Sequence, residues 1–466
     1  MKTILLSLLF IISSVGFAQT IKVDSITSNK FGKIKLYVPS QPKEIVLFIS
    51  GDAGWKYGVI DMAKALARKG ALVAGINILH YWKFVQNSKS PCVYLSGDFE
   101  DLSKYLQNKY HFNSYHLPVL AGYSSGATLV YALLAQSPDE TYKGGIALGF
   151  CPDYRSKKKI CVGSGLHSVP LGKPNTFNFL PRKNLKTPFF VLEGDLDKVC
   201  NPKATQKFML EITNGKDNNL AHVGHGFSVQ RNWMPQYLDA YNHIINSFNS
   251  ALKVRTISSV NFPVNEIESP YSSDKPLIIS ISGDGGWKGF ISGLSMDLSK
   301  DSLPSVGLDA LSYFWQSKTP DQTTKDIVNL VNYYLNKWHR KSFILLGYSF
   351  GANIIPFVVN RFPQELKNKM DMMVLLSPDE YADFQFHFGS WFDLSSSKAL
   401  PVLPELSKLQ ASNALFIFGN EEEHTIIPEL PKKFKIELVN GDHHYNYQHY
   451  LISRIILKKW NEEQHK

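Results

Sequence analysis

The sequence contains little cysteine. Only Cys92, Cys151, Cys161 and Cys200 occur among 466 residues, and all four lie in the first half of the chain. Their spacings match no zinc site, and the sequence predicts neither a metal ion nor another cofactor. Free thiols and disulfides both remain open, and four cysteines allow three pairings. Disulfides would require an oxidising compartment outside the cytoplasm.

Long apolar segments are also absent, apart from one at the start of the chain. Residues 1–18 combine Lys2, an apolar stretch over residues 4–12, and the small residues Gly16 and Ala18. This pattern is typical of a secretory signal peptide cleaved after Ala18. A membrane anchor would need about 20 apolar residues. We therefore expect an exported protein that is soluble once the signal peptide is removed.

Clusters of like charge are scarce although the net charge is +10. Lysines are scattered along the chain apart from three at residues 157–159. This distribution does not indicate a nucleic-acid partner. A basic exported protein would be attracted weakly to anionic membrane surfaces or acidic envelope polymers, and ordinary solubilising charge is the alternative explanation.

The sequence does contain an internal repeat. "VLFISGDAGW" (46–55) recurs as "IISISGDGGW" (278–287), and "NILHYWKF" (77–84) recurs as "DALSYFWQ" (309–316). A chain of 466 residues is long enough for two hydrophobic cores. After the signal peptide at residues 1–18, we predict an N-terminal domain over residues 19–252 and a C-terminal domain over residues 253–466.

Each copy alternates continuous apolar strands with amphipathic helices. In the second copy, "KPLIISIS" and "KSFILLGYS" are buried strands, and "PDQTTKDIVNLVNYYLNKW" between them is an amphipathic helix. Continuous apolar strands separated by helices indicate a parallel sheet that is covered on both faces. The predicted fold class is therefore α/β, with a mostly parallel sheet flanked by helices in each half.

Both copies place a serine between two glycines at the end of an apolar strand. "VLAGYSSGAT" (119–128) contains Ser124, and "ILLGYSFGAN" (344–353) contains Ser349, 225 residues further along (349 − 124 = 225). In α/β-hydrolases this Gly-x-Ser-x-Gly turn exposes a nucleophilic serine above the sheet, and the glycines let strand and helix approach closely. The two serines are thus candidate nucleophiles, and each half is predicted to be α/β-hydrolase-like.

A nucleophilic serine needs a histidine base and an acid that orients it, and in this fold both follow the serine in the order acid, then histidine. In the first copy Asp197 and His225 occupy these places. In the second copy Glu422 stands 225 residues after Asp197 (422 − 197 = 225), and His443 matches His225. Nearby rivals for these roles are Asp195, His222, Glu421, Glu423 and His444.

The repeated "SGD" loop follows a strand that leads, in this fold, to one donor of the oxyanion hole. The second donor is the residue after the nucleophile. The expected amide donors are therefore Gly285 and Phe350 in the second copy, and Ala53 and Ser125 in the first.

Four further residues are predicted to bind substrate. Asp284 and Asp52 lie in the "SGD" loops, where they either cap a turn or recognise a cationic group. Tyr313 and Trp315 follow the carboxyl end of a strand, where ligands bind in open α/β sheets. Core packing is the alternative for these aromatic rings.

Several motifs of the second half occur in the order found in a known family. "SGDGGW", "ALSYFWQSKTPDQTTKDI", "LLGYSFGANIIPF" and "VNGDHHY" together resemble the bacterial virulence protein family of VirJ and AcvB, over roughly residues 275–460. The first half resembles the N-terminal half of the longer AcvB-type members more loosely. Carried over by position, the family's nucleophile is Ser349, its histidine is His443 or His444, and its acid lies in "GNEEEH". This sequence has glutamates there instead of the expected aspartate.

The resemblance implies an exported, periplasmic α/β-hydrolase. For AcvB-type members it also implies hydrolysis of aminoacylated phosphatidylglycerol, notably the lysyl form, and the VirJ name implies association with type IV secretion. We therefore expect a serine hydrolase that cleaves a carboxylic ester. The alternatives are a non-catalytic or partly catalytic binding or scaffold protein of the envelope, and a hydrolase of small esters or peptides.

Overall fold

A computed structural model describes residues 20–247, 253–258, 260–271, 273–386, 399–409, 413–422 and 426–464. The predicted signal peptide therefore lies outside the described residues. So do residues 248–252 beside the predicted domain boundary, which stays a prediction. Within the described parts of the chain, no helix combines the length and apolar composition needed to cross a membrane.

The first half alternates strands and helices as its sequence indicates. Its strands are β1 (Ile21–Ser28), β2 (Gly32–Pro39), β3 (Glu44–Ile49), β4 (Ala71–Ile76), β5 (Cys92–Val93), β6 (Val119–Tyr123), β7 (Gly144–Leu148), β8 (Asp153–Arg155), β9 (Lys159–Ile160), β10 (Ser168–Pro170), β11 (Thr176–Phe179), β12 (Phe189–Gly194) and β13 (Gly215–Leu220). Its helices are α1 (Gly58–Arg68), α2 (Ile78–Gln86), α3 (Leu95–Lys109), α4 (Ser125–Gln136), α5 (Pro202–Met209) and α6 (Met234–Ser247), with a 3-10 turn at Gln230–Asn232.

The second half contains a comparable series. Its strands are β14 (Lys253–Ile257), β15 (Val260–Ile267), β16 (Leu277–Ile281), β17 (Ser305–Leu308), β18 (Phe343–Tyr348), β19 (Met370–Leu376), β20 (Tyr381–Ala382), β21 (Leu400–Pro401), β22 (Ala414–Gly419) and β23 (Lys435–Val439). Its helices are α7 (Phe290–Lys300), α8 (Ala310–Tyr313), α9 (Pro320–Lys337), α10 (Phe350–Asn360), α11 (Gln364–Asn368), α12 (Val402–Lys408) and α13 (His449–Gln464), with 3-10 turns at Ile427–Glu429 and Tyr445–Tyr447.

The two large sheets have the same strand order. The first runs β1-β2-β4-β3-β6-β7-β12-β13, and the second runs β14-β15-β17-β16-β18-β19-β22-β23. In each sheet the first two strands pair antiparallel, and the other six are mutually parallel. The predicted fold class is confirmed, because each half contains a mostly parallel sheet flanked by helices.

Each sheet is covered on both faces, as its continuous apolar strands require. Along β3, Ile45, Leu47 and Ile49 face one hydrophobic cluster, whereas Val46 and Phe48 face another. Successive side chains of a strand point to opposite faces. In a strand that is buried on both faces, every position therefore favours an apolar residue. The second sheet also has one cluster on each face.

Helix α9 shows how the local sequence determines where a helix begins and which of its faces is buried. The Thr319 hydroxyl accepts a hydrogen bond from the amide of Gln322 at 3.1 Å, and Pro320 opens the helix. Both are typical of a helix start. One face of the helix then buries Ile327 and Leu330 against the sheet, which is the arrangement its spacing of apolar residues predicts.

The two halves contact each other through α3 of the first and the residues that follow this helix. The carboxylate of Glu100 lies 2.7 Å from Nζ of Lys288 in the second half and 2.9 Å from Nζ of Lys104. Burial alone would raise the pKa of Glu100, but the two ammonium groups lower it to about 2. The indole Nε1 of Trp315 donates to the carbonyl oxygen of Phe112 at 2.8 Å. The contact thus joins buried ionic and aromatic groups of both halves.

All four cysteines form disulfides. Cys92 pairs with Cys161, and Cys151 pairs with Cys200. Both bridges lie within the first half and join cysteines that are 69 and 49 positions apart in the sequence. The sequence left the pairing open, and the fold resolves it. The disulfides fit an oxidising compartment.

Candidate active sites

Each candidate nucleophile lies in a tight turn between a strand and a helix. Ser124 joins β6 to α4 with φ 56° and ψ −123°, and Ser349 joins β18 to α10 with φ 51° and ψ −116°. A positive φ is uncommon for a residue other than glycine and costs free energy. The same strained turn thus occurs in both halves and exposes each hydroxyl at a helix N-terminus.

Glycines make these turns possible. A Cβ atom on Gly126 would lie 2.3 Å from the carbonyl oxygen of Ile49, and one on Gly351 would lie 2.3 Å from the carbonyl oxygen of Ile281. Both distances are far shorter than a tolerable contact between non-bonded atoms. The glycine two residues after each serine therefore lets the helix approach the neighbouring strand.

In the first half the structure brings Ser124, His225 and Asp197 together. His225 Nε2 lies 3.0 Å from the Ser124 hydroxyl, and His225 Nδ1 lies 2.7 Å from Asp197 Oδ2. The other Asp197 oxygen accepts hydrogen bonds from the amides of Val199 and Cys200. Burial opposes ionisation of Asp197, but the hydrogen bonds from His225 and these amides lower its pKa. The acid is therefore ionised and held in place.

In the second half the structure brings Ser349, His443 and Glu422 together. His443 Nε2 lies 2.9 Å from the Ser349 hydroxyl, and His443 Nδ1 lies 2.8 Å from Glu422 Oε2. Glu422 Oε1 accepts hydrogen bonds from the Ser377 hydroxyl and the Gly419 amide, each at 2.6 Å. Against the opposing effect of burial, these contacts lower the pKa of Glu422. The longer glutamate thus reaches the place that aspartate occupies in the first half.

Sequence reasoning missed the group that supports Glu422. The Ser377 hydroxyl lies 2.6 Å from the hydroxyl of Tyr445, and Tyr445 donates to the carbonyl oxygen of Ile417 at 2.9 Å. Tyr445 is fully buried. Ser377 follows β19 at the carboxyl edge of the sheet, and its position next to the acid loop arises from strand order rather than from any local motif.

The rival residues lie elsewhere. Asp195 Oδ1 accepts from the amide of Val223 at 3.3 Å, and the carbonyl oxygen of His222 accepts from Asn232. His444 directs Nδ1 to the hydroxyl of Tyr348 at 2.6 Å. Asp195 and His444 thus have local partners of their own, and the triad positions belong to their neighbours.

The two acidic neighbours of Glu422 differ in what the structure describes. Glu421 is exposed, and its amide donates to the carbonyl oxygen of Gly441 at 3.0 Å. Glu423 lies outside the described residues. Only Glu422, of the two glutamates described in this loop, contacts the histidine.

A second carboxyl lies beneath the acid of the first site. Glu193, at the end of β12, is only 1% exposed and accepts a hydrogen bond from the amide of Phe150 at 3.1 Å. Burial and the neighbouring Asp197 raise its pKa to about 9. At the equivalent place in the second half, 225 residues later, stands Phe418 (193 + 225 = 418). Glu193 is therefore protonated at neutral pH, and this feature distinguishes the first site.

The histidine of the second site has a shifted pKa. Burial tends to lower the pKa of His443, but its hydrogen bond with Glu422 and the negative charges of Glu422 and Asp284 raise the pKa above its usual value of 6.5. Asp284 thus acts on the imidazole although its own side chain is exposed. Its charge also raises the pKa of Lys104 in the first half.

The "SGD" loops lie against the nucleophiles. A Cβ atom on Gly51 would lie 3.0 Å from Cβ of Ser124, and one on Gly283 would lie 3.5 Å from Cβ of Ser349. Each loop is anchored by the tryptophan that ends the motif: in the second half, a Cβ on Gly307 would lie 2.1 Å from the ring of Trp287. The glycine thus leaves room for the ring against the sheet.

These loops offer backbone donors close to each serine. The amide of Gly286 donates to the carbonyl oxygen of Gly283 and closes a turn, in which Gly285 occupies the third position. Nothing lies within 4 Å of a Cβ atom placed on Gly285. Phe350 is the first residue of α10, where an amide has no carbonyl partner within the helix. Ala53 and Ser125 occupy the equivalent positions in the first half, and the assignment of both donor pairs stays a prediction.

The predicted substrate-binding residues fall into two groups. Asp284 and Asp52 are exposed in their loops. Tyr313 and Trp315 are each only 4% exposed. The Tyr313 hydroxyl donates to Asp326 at 2.6 Å, and Trp315 contacts the first half as described above. The structure therefore places these two rings in packed positions.

Comparisons with known proteins bear on the chain as a whole. The family model described as bacterial virulence protein (VirJ) matches residues 43–147 and 275–464, more than half of the chain. The second range contains all three residues of the Ser349 site, and the first contains Ser124. Among curated proteins, no match is found.

Several solved structures are similar to part of the chain. Est1E from Butyrivibrio proteoclasticus shares 15% identity with a TM-score of 0.35, covering 46% of this chain and 99% of that one. The esterase domain of a Rhodothermus marinus protein shares 13% with a TM-score of 0.33, covering 48% and 98%. Dienelactone hydrolase from Anabaena variabilis shares 14% with a TM-score of 0.34, covering 49% and 98%.

Proposed function

This chain belongs to the VirJ family of bacterial virulence proteins, and from that premise we propose that it is an exported serine hydrolase that cleaves a carboxylic ester. The observation that carries the proposal is the contact of serine, histidine and acid at 2.7–3.0 Å in each half. Two complete sets, on strained turns at equivalent places of two sheets, favour a common chemical role.

The proposed reaction at the second site follows from the geometry. His443 accepts the hydroxyl proton of Ser349 as the oxygen attacks the ester carbonyl carbon, and Glu422 stabilises the imidazolium through Nδ1. The amides of Gly285 and Phe350 donate hydrogen bonds to the developing oxyanion. His443 then returns the proton to the leaving alcohol, and water hydrolyses the acyl-enzyme by the same steps.

We propose that the ester cleaved at the Ser349 site is the aminoacyl ester of phosphatidylglycerol, most notably the lysyl form. Such an ester carries an ammonium group next to the scissile carbonyl, whereas an ordinary lipid ester does not. The exposed carboxylate of Asp284 lies in the loop that supplies an oxyanion donor, and its charge acts on His443. It is therefore placed to attract an ammonium group that lies beside the reacting carbon.

The proposed location is the periplasm, where the disulfides would persist and anionic lipid surfaces are accessible. Association with a secretion system stays a prediction. A non-catalytic envelope scaffold is the competing class, and it differs from an enzyme in one measurable property: a scaffold has no activated serine.

A fluorophosphonate probe tests the proposal because it labels only activated serines. We expect two labelled sites in the wild-type protein, and we expect Ser124→Ala and Ser349→Ala each to remove one. Hydrolysis of lysyl-phosphatidylglycerol in vesicles should fall by several orders of magnitude in Ser349→Ala. A wild-type protein that takes up no label would favour the scaffold function instead. Labelling of Ser349 without lysyl release would make the protein a hydrolase of another ester.

A further inference from the structure

A cavity of 660 Å³ lies beside the first site. This volume is typical of a pocket for a small molecule. Its apolar lining comes from α2, α4 and the short strands after β7, and it includes Ile78, Leu79, Trp82, Leu129, Ala132 and Phe179. The function proposed above does not use this cavity.

The cavity reaches the reaction centre. Ser125, the residue after the nucleophile, and Asp52 of the "SGD" loop both line it. The hydroxyl oxygen of Ser125 is buried and, among the described residues, has no hydrogen-bond partner. A buried polar atom without a partner is unusual. Here it faces a space that a bound molecule could fill.

The second half shows why the cavity exists in the first. The residue that corresponds to Ser125 is Phe350, whose ring lies 5.2 Å from that of Phe314. Phe314 corresponds to Trp82 in the repeat and is completely buried, whereas Trp82 is partly exposed and lines the cavity. In the second half a phenyl ring thus packs against Phe314 at the position where the first half has a serine.

The position of His225 decides which part of an ester would enter the cavity. The leaving alcohol must lie close to His225 Nε2, because that atom returns the proton to it. Ser125 and Asp52, which lie beside the predicted oxyanion donors, line the cavity. No residue of the loop that carries His225 lines it. The part directed into the cavity is therefore the acid part of the ester.

The rim of the cavity carries a positive excess. Arg155, Lys157 and Lys173 line it and are exposed, against the two acidic residues Asp52 and Asp153. Within the described ranges of the chain, none of these three cations forms an ion pair. An acid part that ends in a negative charge would therefore gain a favourable contact at the rim, and one that ends in a positive charge would not.

We propose that the Ser124 site accepts esters whose acid part is an apolar chain ending in a negative charge, and that its substrate class therefore differs from that of the Ser349 site. This inference rests on the proposed hydrolase function. The apolar chain lies along Trp82 and Leu129, and its charged end reaches Arg155, Lys157 or Lys173. The two sites differ at the equivalent positions Ser125 and Phe350 and at Trp82 and Phe314.

The test uses the full-length Ser349→Ala protein, so that the first site alone reports. Four p-nitrophenyl esters are compared by kcat/KM: the acetate, the octanoate, the monoester of suberic acid, which has a terminal carboxylate, and an ester of equal chain length with a terminal quaternary ammonium group. We expect the octanoate to exceed the acetate by at least about tenfold. We expect the suberate to exceed a chain of equal length with a terminal quaternary ammonium group by about threefold at low salt. The absence of either preference overturns the proposal.

Ser125→Phe introduces the residue type that the second half has at the equivalent position. It should reduce the ratio of kcat/KM for the octanoate to kcat/KM for the acetate by about tenfold or more. Ser125→Ala is the matched control, because it keeps the backbone amide and the open cavity, and it should retain the chain-length preference. An unchanged ratio in Ser125→Phe overturns the proposal.

Fluorophosphonate labelling of Ser124 in each variant distinguishes a failure of the substrate preference from a failure of the hydrolase function on which it rests. Labelled proteins without a chain-length preference refute this inference alone, whereas wild-type protein that is not labelled at Ser124 refutes the hydrolase function of this half.

Discussion

Asp284→Asn tests the proposed substrate at the Ser349 site, because it removes one charge and changes the size of the side chain little. A charge-assisted hydrogen bond to a substrate ammonium group contributes about 1.5–3 kcal/mol. Its loss should lower kcat/KM for lysyl-phosphatidylglycerol by about one to two orders of magnitude. Asp284 is exposed, so screening by salt should place the effect near the lower end of this range.

The same substitution should also change the pH dependence. His443 must be neutral to accept the proton of Ser349, so activity rises as the pH increases through the pKa of His443. The charge of Asp284 contributes to raising that pKa above 6.5. In Asp284→Asn we therefore expect the acidic limb of the profile of kcat/KM to move to lower pH.

The assay measures kcat/KM between pH 5 and 9 for lysyl-phosphatidylglycerol and for an uncharged short-chain ester. Asp379 provides a matched control: it is exposed and its charge also raises the pKa of His443, but it lies outside the oxyanion loop. Asp379→Asn should move the pH limb without changing the preference between substrates. If Asp284→Asn lowers kcat/KM for both esters equally, then Asp284 acts only by stabilising the loop or by shifting the pKa of His443. The proposed contact with the ammonium group is then refuted.

Two further predictions concern the acids of the sites. Glu422→Gln should lower kcat by about four orders of magnitude, because a glutamine cannot stabilise the imidazolium of His443, whereas the exposed Glu421→Gln should retain activity; comparable losses in both variants would refute the assignment. The pKa of Glu193 is raised from 4.5 to about 9. Between these two pH values the folded state holds a proton that the unfolded state releases, so the free energy of unfolding of the wild-type protein falls as the pH rises. Glu193→Gln should therefore be more stable than wild type in urea denaturation, by a margin that grows between pH 5 and 8; parallel stability profiles of the two proteins would show that Glu193 is ionised.

Much of the architecture could be predicted because it depends on residues that are close together in the sequence. Continuous apolar strands between helices indicate a parallel sheet wherever they occur, and the glycines around Ser124 and Ser349 are needed for a turn of five residues. The repeat then aligned Glu422 with Asp197 by a constant offset, and the structure places both next to a histidine. For each of these features the relevant neighbours lie close in sequence or recur at a fixed interval.

Other features depended on distant parts of the chain. Tyr313 and Trp315 matched a ligand-binding position by sequence, but the structure buries both, Trp315 against Phe112 of the other half. The support of Glu422 by Ser377 and the pairing of the cysteines likewise join residues that no local pattern relates. These contacts exist only when strands meet across a sheet or when the two halves meet.

The sequence by itself determined the α/β class, the repeated nucleophile turn and the order of serine, acid and histidine. Only the tertiary structure decided which imidazole reaches each serine, why Glu193 is protonated, and why a cavity opens beside Ser124. Strand periodicity and turn geometry are set by neighbouring residues, so they can be read along the chain. Burial, cavity volume and the pKa of a carboxyl depend on every group packed around it, and folding alone brings those groups together.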